Sequence, residues 1–215
     1  RYELQFELSK DFGRIAYTGN YLFNYPKGGG LNARWFAGKF FYIGDKTSRK
    51  RFNTDSYQLN MSAPKGYEDY TYSNYFIGRN EYNGFLSQQV MMRDGGFKVR
   101  TDLLSNKVGK TDDWLMALNF TSTIHHTIPV KLFLDLGTYN EGWADGSDQP
   151  KILFDAGLQL SLCKDIFNVY VPLVYSKVYH DYFRSTPGNN FWQRISFSID
   201  IQNINFKKIS PLIPF

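Results

Sequence analysis

An acidic residue lies in the middle of the apolar stretch VKLFLDLGTY, which spans Val130–Tyr139. A carboxylate in apolar surroundings is costly unless it is hydrogen-bonded, paired or hydrated. Side chains alternate between the two faces of a strand. One face of this stretch carries Val130, Leu132, Leu134 and Leu136, and the other carries Lys131, Phe133, Asp135 and Gly137. We therefore expect Asp135 to face water or a cation, and Gly137 to leave room beside it for another part of the chain.

The chain has no residue spacing typical of a catalytic or cofactor-binding site. His125 and His126 are adjacent in a short turn, and no H-E-x-x-H, G-x-S-x-G, P-loop or dinucleotide motif occurs. The glycines of YPKGGGL join two strand-like stretches, which favours a turn over a phosphate-binding loop. Asp145 and Asp148 lack the spaced ligands of an EF-hand, so an Asp-Gly turn is favoured over weak calcium binding. We predict that this chain is not an enzyme and has no cofactor or metal.

Composition and charge narrow the class of protein. Aromatic residues make up 18% of the 215 residues, which is typical of strands and of membrane interfaces. The single cysteine, Cys163, excludes a disulfide within the chain. The net charge is +5, and the basic residues are scattered except in DKTSRKR (Asp45–Arg51). This cluster indicates a solvated loop or a contact with an anionic lipid headgroup. We expect no nucleic acid partner. The chain begins at Arg1 without a signal or an apolar run near twenty residues, so we expect a mature or internal fragment without a transmembrane helix.

Alternation of apolar and polar residues with a period of two is the dominant pattern. It predicts about ten strands, and no convincing amphipathic helix separates them. The predicted strands are Arg1–Leu8, Arg14–Tyr25, Leu31–Tyr42, Ser56–Ala63, Phe85–Met92, Trp114–Thr123, Val130–Tyr139, Ile152–Leu162, Phe167–Ser176 and Arg194–Ile204. Consecutive strands without helical crossovers predict an antiparallel meander.

Short and long connections largely alternate between these strands. The short ones are Lys10–Phe12, Tyr25–Gly30, His125–Pro129 and Cys163–Ile166. The long ones are Gly44–Asp55, Lys65–Gly84, Asp94–Asp113, Asn140–Gln149 and Lys177–Gln193. Tight turns at one rim and long loops at the other are typical of outer-membrane barrels.

The polar faces of the predicted strands are rich in Ser, Asn, Gln, Gly and Asp rather than Lys and Glu, as in ILFDAGLQLSL and RISFSIDIQ. Such a face suits a hydrated lumen, while the apolar face would contact lipid. We therefore predict an all-β fold, an antiparallel up-and-down transmembrane β-barrel or its C-terminal portion. Its strands and loops would span residues 1–206, followed by a tail over residues 207–215. A soluble β-sandwich or a lipocalin-like barrel is the alternative.

The F-x-D-x-G pattern of Phe133, Asp135 and Gly137 resembles a strand motif of the BamA-like superfamily of outer-membrane insertases and two-partner secretion translocators. The resemblance covers Phe85–Phe206. It includes the order of a long loop, the F-x-D-x-G strand, a polar strand, a strand with Pro172 and a closing alternating strand.

In that family an arginine of a long loop folds back into the lumen and pairs with the aspartate of F-x-D-x-G. The corresponding stretch here is MMRDGGFKVRTDL, which contains Arg93, Gly95, Gly96 and Arg100. The stretch differs from the family's Val-Arg-Gly-aromatic string, so the resemblance leaves both Arg93 and Arg100 as candidate partners of Asp135. This pair would hold the loop inside the lumen.

The resemblance implies the membrane-embedded barrel of a Gram-negative outer-membrane protein. Such a barrel would anchor an upstream domain or assist polypeptide insertion or export. The family barrel has sixteen strands, so further strands upstream or from a partner are expected. The stretches FLSQQVMMRDGGFKVRTDLL and DIFNVYVPLVYSKVYHDYF also resemble the barrels attached to aminopeptidase N-like surface proteins. Implied partners are outer-membrane lipid, lipopolysaccharide and other outer-membrane or periplasmic proteins, and the alternative function is a passive channel or structural barrel.

Overall fold

The chain forms an antiparallel β-structure in a computed structural model that describes residues 1–10, 12–43, 59–62, 84–90, 92–100, 108–163, 165–185 and 190–200. This part of the chain contains ten strands, which confirms the predicted all-β antiparallel class and strand number. The strands are β1 (Tyr2–Leu8), β2 (Phe12–Asn24), β3 (Gly30–Tyr42), β4 (Leu59–Asn60), β5 (Lys110–Thr111), β6 (Trp114–Thr123), β7 (Val130–Tyr139), β8 (Ile152–Leu162), β9 (Phe167–Tyr175) and β10 (Ser196–Ile199).

Eight of these strands form one sheet in the order β1-β2-β3-β6-β7-β8-β9-β10, and β4 pairs with β5 separately. Each strand in the large sheet pairs with its predecessor in the sheet, always antiparallel, as hairpin connections without crossovers require. Within the described residues, β1 and β10 form the two edges and do not pair with each other. The described strands therefore form an open sheet.

The connections lie at the two ends of the sheet largely as the sequence predicts. Tight connections join β2 to β3, β6 to β7 and β8 to β9 at one end. Long connections join β3 to β6, β7 to β8 and β9 to β10 at the other. The turn between β1 and β2 is the exception, because it is short and lies at the long-loop end.

The prediction of a strand over Phe85–Met92 is wrong. Among the described residues of this range, Phe85–Gln88 form a 3-10 helix and Gln89 forms an isolated parallel bridge with Phe197 of β10. The apolar residues that suggested a strand are used in tertiary packing instead, since the ring of Phe85 stacks on that of Phe197 with centroids 4.7 Å apart. The backbone N–H of Val90 donates to the carbonyl of Phe197 at 2.8 Å, so this segment covers part of the β10 edge.

Two short helices follow β9, where the sequence predicted only a loop. Helix α1 (Lys177–Ser185) buries Tyr179 and Phe183, whose spacing of four places them on one helix face. Helix α2 (Phe191–Arg194) begins at Asn190 with a capping box formed with Gln193. No helix in the described part of the chain has the length and apolar character needed to cross a membrane.

Several predicted features lie wholly or partly outside the described residues. Of the predicted strand Ser56–Ala63, residues 59–62 are described, and Leu59–Asn60 form β4. The basic cluster Asp45–Arg51 and the tail over residues 207–215 lie outside them. Of the predicted closing strand Arg194–Ile204, residues 194–200 are described, and Ser196–Ile199 form β10.

Candidate functional site

The large sheet has two faces, an inner face and an outer face. The inner face carries Asn119, Asp135 and Asp155, which lie at paired positions on β6, β7 and β8. The outer face carries the alternate residues of the same strands, such as Leu118 of β6 and Leu134 of β7. The strands place these side chains reliably, because alternate residues of each strand point to the same face.

Residues 92–100, which we call the inner segment, lie against the inner face. The backbone N–H of Phe97 donates to the carbonyl of Met61 at 2.8 Å, and that of Gly95 donates to Asn60 at 3.0 Å. Gly96 has a φ of +65°, a conformation that glycine adopts without steric cost. This turn lets the segment bring both its backbone and its charged side chains to the sheet.

Lys98 forms the central contact of the inner segment with the sheet. Its Nζ lies 2.8 Å from Asp135 Oδ1, and both side chains are buried, at 1% and 0% exposure. The ammonium also donates to the carbonyl of Gly96 at 3.0 Å and lies 5.5 Å from the centre of the Phe133 ring. Asn119 Nδ2 donates to the same Asp135 Oδ1 at 2.9 Å. The acid of VKLFLDLGTY is therefore buried and paired.

The cation that pairs with Asp135 is Lys98, so the expectation that Arg93 or Arg100 would do so needs correction. Arg100 donates to Ser87 Oγ at 3.4 Å, and the carbonyl of Arg93 accepts from Gly96. The reason is geometric, because the turn at Gly96 folds the backbone so that the side chain of Lys98 points at β7. The expected fold-back of this stretch against the F-x-D-x-G strand is nevertheless present.

The glycines and the aromatic residue predicted around Asp135 also lie in this site. The carbonyl of Gly95 accepts from Asn119 Nδ2 at 2.8 Å. A Cβ on Gly137 would lie 2.4 Å from Met61 Sδ and 3.0 Å from the Phe97 ring, so Gly137 does leave room for another part of the chain. Phe133 packs against Tyr170 with ring centroids 6.0 Å apart.

Asp155 is a second acid of the site, and the sequence analysis did not single it out. Its Oδ2 accepts from the backbone N–H of Lys98 at 3.1 Å and of Val99 at 2.9 Å. Asp155 is fully buried and lies directly opposite Asp135 in the β7–β8 ladder. The alternation in ILFDAGLQLSL placed Asp155 on the polar face, and its equivalent position to Asp135 on a neighbouring strand was the available signal.

A second group of charges holds the other part of the inner segment. Asp94 Oδ1 lies 3.3 Å from Arg14 Nη2, and Asp94 Oδ2 accepts from the backbone N–H of Asn60 at 3.1 Å. Arg34 donates to the carbonyl of Asp94 and to Asn119 Oδ1, both at 2.8 Å. Arg14 also pairs with Glu7 at 2.8 Å. Sequence reasoning missed these arginines because their partners are far away in the chain.

The arrangement is suited to holding a chain segment. Charge-assisted hydrogen bonds between buried groups are stronger and more directional than those between neutral groups. Among the described residues no group of three or more His, Cys, Asp or Glu side chains could hold a metal ion. The site therefore fixes the inner segment against β2, β3, β6, β7 and β8 at once.

The chain matches no family model, no curated protein and no solved structure. The class that the fold defines is an antiparallel β-sheet protein whose inner face is covered by a segment of its own chain. Further assignment rests on the polarity of the two faces and on the contacts of the inner segment.

Proposed function

We propose that this chain is the membrane-embedded β-barrel, or the C-terminal part of it, of a Gram-negative outer-membrane protein of the BamA-like type. It anchors an upstream domain at the outer membrane or assists polypeptide insertion or export. Its lipid-facing surface contacts outer-membrane lipid and lipopolysaccharide, and its further partners are outer-membrane or periplasmic proteins.

The main support for this proposal is the set of exposed apolar side chains on the outer face of the sheet. Large apolar side chains stand exposed on it along almost every strand. They are Tyr2, Leu4, Phe6, Leu8, Tyr21, Phe23, Phe41, Met116, Leu118, Leu132, Leu134, Ile152, Leu162, Leu173 and Val174. Soluble proteins seldom expose an apolar surface of this extent, whereas a barrel in a bilayer requires an apolar outer band.

The inner face combines an apolar core at its long-loop end, which includes Phe36, Leu115 and Leu153, with many buried polar side chains, and these polar side chains support the same proposal. Its buried polar side chains include Arg14, Asn119, Asp135, Asp155, Gln159, Ser161, Asn168, Ser196 and Ser198. Gln159 Nε2, Ser161 Oγ and Asn168 Oδ1 hydrogen-bond one another at 2.8–3.0 Å. A sheet that buries this many polar side chains while it exposes large apolar ones departs from the usual pattern of a water-soluble sheet.

A β-bulge adds to the apolar outer surface. The β8–β9 register shifts between Ala156 and Gly157, so that Leu173 has no partner residue in the ladder. Leu173 and Val174 consequently both point outward, with exposures of 56% and 59%. Water would disfavour two adjacent exposed aliphatic residues on a sheet, and acyl chains would not.

The inner segment favours the BamA-like reading over a passive channel. A channel requires a free path along the inner face, whereas Lys98, Asp94 and the glycines between them fix a chain segment across that face. An inward-folded loop held by a charge pair on the F-x-D-x-G strand is the arrangement that the resemblance implies.

A pair of arginine substitutions tests whether the outer face meets lipid. Leu118 lies in mid-strand on the outer face with 45% exposure, and Ile128 lies in a turn with 51% exposure. In water both Leu118→Arg and Ile128→Arg are tolerated, since both side chains are already exposed. In a bilayer Leu118→Arg costs about 2–4 kcal/mol and Ile128→Arg much less.

The measurement is urea unfolding of each variant folded into lipid vesicles, together with extraction of the native protein from membranes. We expect Leu118→Arg alone to lower the midpoint, and we expect detergent but not carbonate or salt to release the wild type. Equal effects of the two substitutions, or release by carbonate, would contradict the membrane assignment.

A further inference from the structure

The buried charges around Lys98 do not balance when every acid is ionised. Asp135 and Asp155 contribute two negative charges, and Lys98 contributes one positive charge, with exposures of 0%, 0% and 1%. The neighbouring group of Arg14, Arg34, Asp94 and Glu7 balances within itself. The cluster therefore has an excess negative charge in a fully buried position, which is strongly unfavourable.

The hydrogen bonds of the two carboxylates leave one oxygen of each without a donor. Asp135 Oδ1 accepts from Lys98 and Asn119, and Asp155 Oδ2 accepts from two backbone N–H groups. Asp135 Oδ2 and Asp155 Oδ1 are buried and have no donor among the described residues. The two side chains are within hydrogen-bonding reach of each other, but two carboxylates are both acceptors.

Other ionisable groups face the pair from several elements. They are Lys98 of the inner segment, Arg34 of β3, Tyr170 of β9 and Tyr179 of α1. Neither tyrosine supplies a donor to the pair, since the Tyr170 hydroxyl pairs with Ser198 Oγ and the Tyr179 hydroxyl has no partner among the described residues. The guanidinium of Arg34 donates to Asn119 and to the Asp94 carbonyl instead.

We propose that Asp135 and Asp155 form a proton-binding site in which one proton is shared between Asp135 Oδ2 and Asp155 Oδ1. The carboxyl O–H of one residue donates to the carboxylate of the other, so each oxygen that lacks a donor gains a partner. The pair then carries one negative charge, which Lys98 neutralises. Two carboxylates in one site do not both ionise readily, which is why the proton stays at neutral pH.

The shared proton links the position of the inner segment to pH. Loss of the proton to bulk water leaves two buried negative charges beside one ammonium. Their repulsion separates β7 and β8 locally or draws water in, and the amides of Lys98 and Val99 lose their acceptor. At low pH the segment is held, and as the pH rises through the dissociation of the pair it is released.

Infrared spectroscopy of the purified, folded chain tests this inference, because a protonated carboxyl has a C=O stretching band separate from that of carboxylates. The measurement is made on the Glu141→Gln variant, since Glu141 is another acid with a buried carboxylate oxygen that lacks a donor among the described residues. We expect a band at neutral pH that is lost on alkaline titration. We expect it to be absent when Asp135→Asn or Asp155→Asn is added, because the remaining acid then ionises beside Lys98.

Absence of the band at neutral pH would overturn the proposal, as would its survival in either asparagine variant. If both variants fail to fold, hydrogen exchange of the Glu141→Gln protein decides the matter. The hydrogen-exchange protection of the Lys98 and Val99 amides, corrected for the intrinsic chemical exchange rate, must be lost over the same pH range as the infrared band. Protection that persists after the band has gone would show that the proton is not shared by the site. Neither result depends on whether the barrel assists export.

Discussion

Lys98 occupies a position that suits an ammonium better than a guanidinium. Its Nζ donates in two directions within 3.0 Å, to Asp135 and to the Gly96 carbonyl, and lies near the rings of Phe133 and Tyr170 at 5.5 and 5.7 Å. An ammonium is a compact point charge with three donors, whereas the planar guanidinium needs more room and a bidentate acceptor. This explains how a lysine serves where the resemblance implied an arginine.

Replacing Lys98 by methionine keeps the apolar stem but removes the charge. Asp135 and Asp155 then remain buried without a cation, so we expect a loss of about 3–5 kcal/mol in the free energy of unfolding. Lys131→Met is the matched control, because Lys131 pairs with Asp165 at exposures of 23% and 60% and should cost about 1 kcal/mol or less. Urea unfolding in vesicles measures both, and equal losses would show that the Lys98 pair contributes no more than an exposed one.

Glu141 gives a pH dependence that lies outside the strands. Burial raises the pKa of this carboxyl, and in the part of the chain that the structure describes no donor reaches its Oε2. The pKa of Glu141 is higher in the folded chain than in the unfolded chain. Its contribution to the free energy of unfolding is therefore complete at pH values below the pKa of the unfolded chain, and it is lost as the pH rises through the pKa of the folded chain.

Glu141→Gln remains neutral at every pH, so its advantage over the wild type should grow as the pH rises from about 4 towards neutrality. We expect a gain of about 1 kcal/mol at most, because Glu141 is partly exposed and screened by solvent. Unfolding curves of both proteins across this pH range are the measurement. A difference that stays constant with pH would mean that Glu141 titrates as an ordinary acid.

At the level of elements, the β8–β9 bulge depends on Gly157. A Cβ at this position would lie 2.0 Å from the carbonyl oxygen of Val171, which is backbone and cannot move aside. We expect Gly157→Ala to destabilise the sheet by about 3 kcal/mol or more, as overpacking does when it displaces backbone. Gly13→Ala in β2 is the control, because its Cβ would meet only ordinary contacts at 3.7 Å. If thermal unfolding shifts equally in both variants, Gly157 has no special steric role.

The elements that the sequence predicts best are the strands with the most regular alternation of apolar and polar residues. The predicted bounds of Trp114–Thr123, Val130–Tyr139 and Ile152–Leu162 agree with β6, β7 and β8. Phe85–Met92 was misassigned because its apolar residues pack on β10 rather than along a ladder. Helix α1 was missed because its nine residues bury only Tyr179 and Phe183, a signal too short to distinguish from an aromatic loop.

The candidate site was predictable on the strand side and not on the loop side. The pattern in VKLFLDLGTY is sufficient to place Asp135 and Gly137, since one strand fixes both side chains. The partner of Asp135 is set by how residues 92–100 turn at Gly96 in three dimensions. Local spacing cannot choose between Arg93, Lys98 and Arg100, because all three belong to the same irregular segment.

At the scale of the whole molecule, the inner segment connects parts of the sheet that are not neighbours. It bonds to Arg14 of β2 through Asp94, to Asp135 of β7 through Lys98, and to Ser196 of β10 through the Lys98 carbonyl at 2.6 Å. The eight strands are otherwise joined by their ladders and by the hydrophobic core in which α1 packs against β2, β3, β6, β7 and β8. The segment therefore acts as an internal brace, and its release would loosen the entire structure.

This bracing role predicts a difference in ion conductance between the wild type and a variant with a weakened anchor. Asp135→Asn keeps the shape of the side chain but removes its charge, so the ammonium of Lys98 loses the carboxylate that it contacts directly, and the inner segment leaves the inner face more often. In planar bilayers we expect the wild-type protein to remain mostly closed and Asp135→Asn to open more frequently.

The matched control for conductance is Asp165→Asn, which breaks the exposed pair with Lys131 at the short-turn end and leaves the inner face unchanged. It should behave as the wild type. A passive channel predicts the opposite pattern, with steady conductance in the wild type and no response to Asp135→Asn. Frequent openings in the variant alone would favour an anchored loop inside a membrane barrel, because only a segment that blocks the lumen can couple one buried charge pair to the passage of ions.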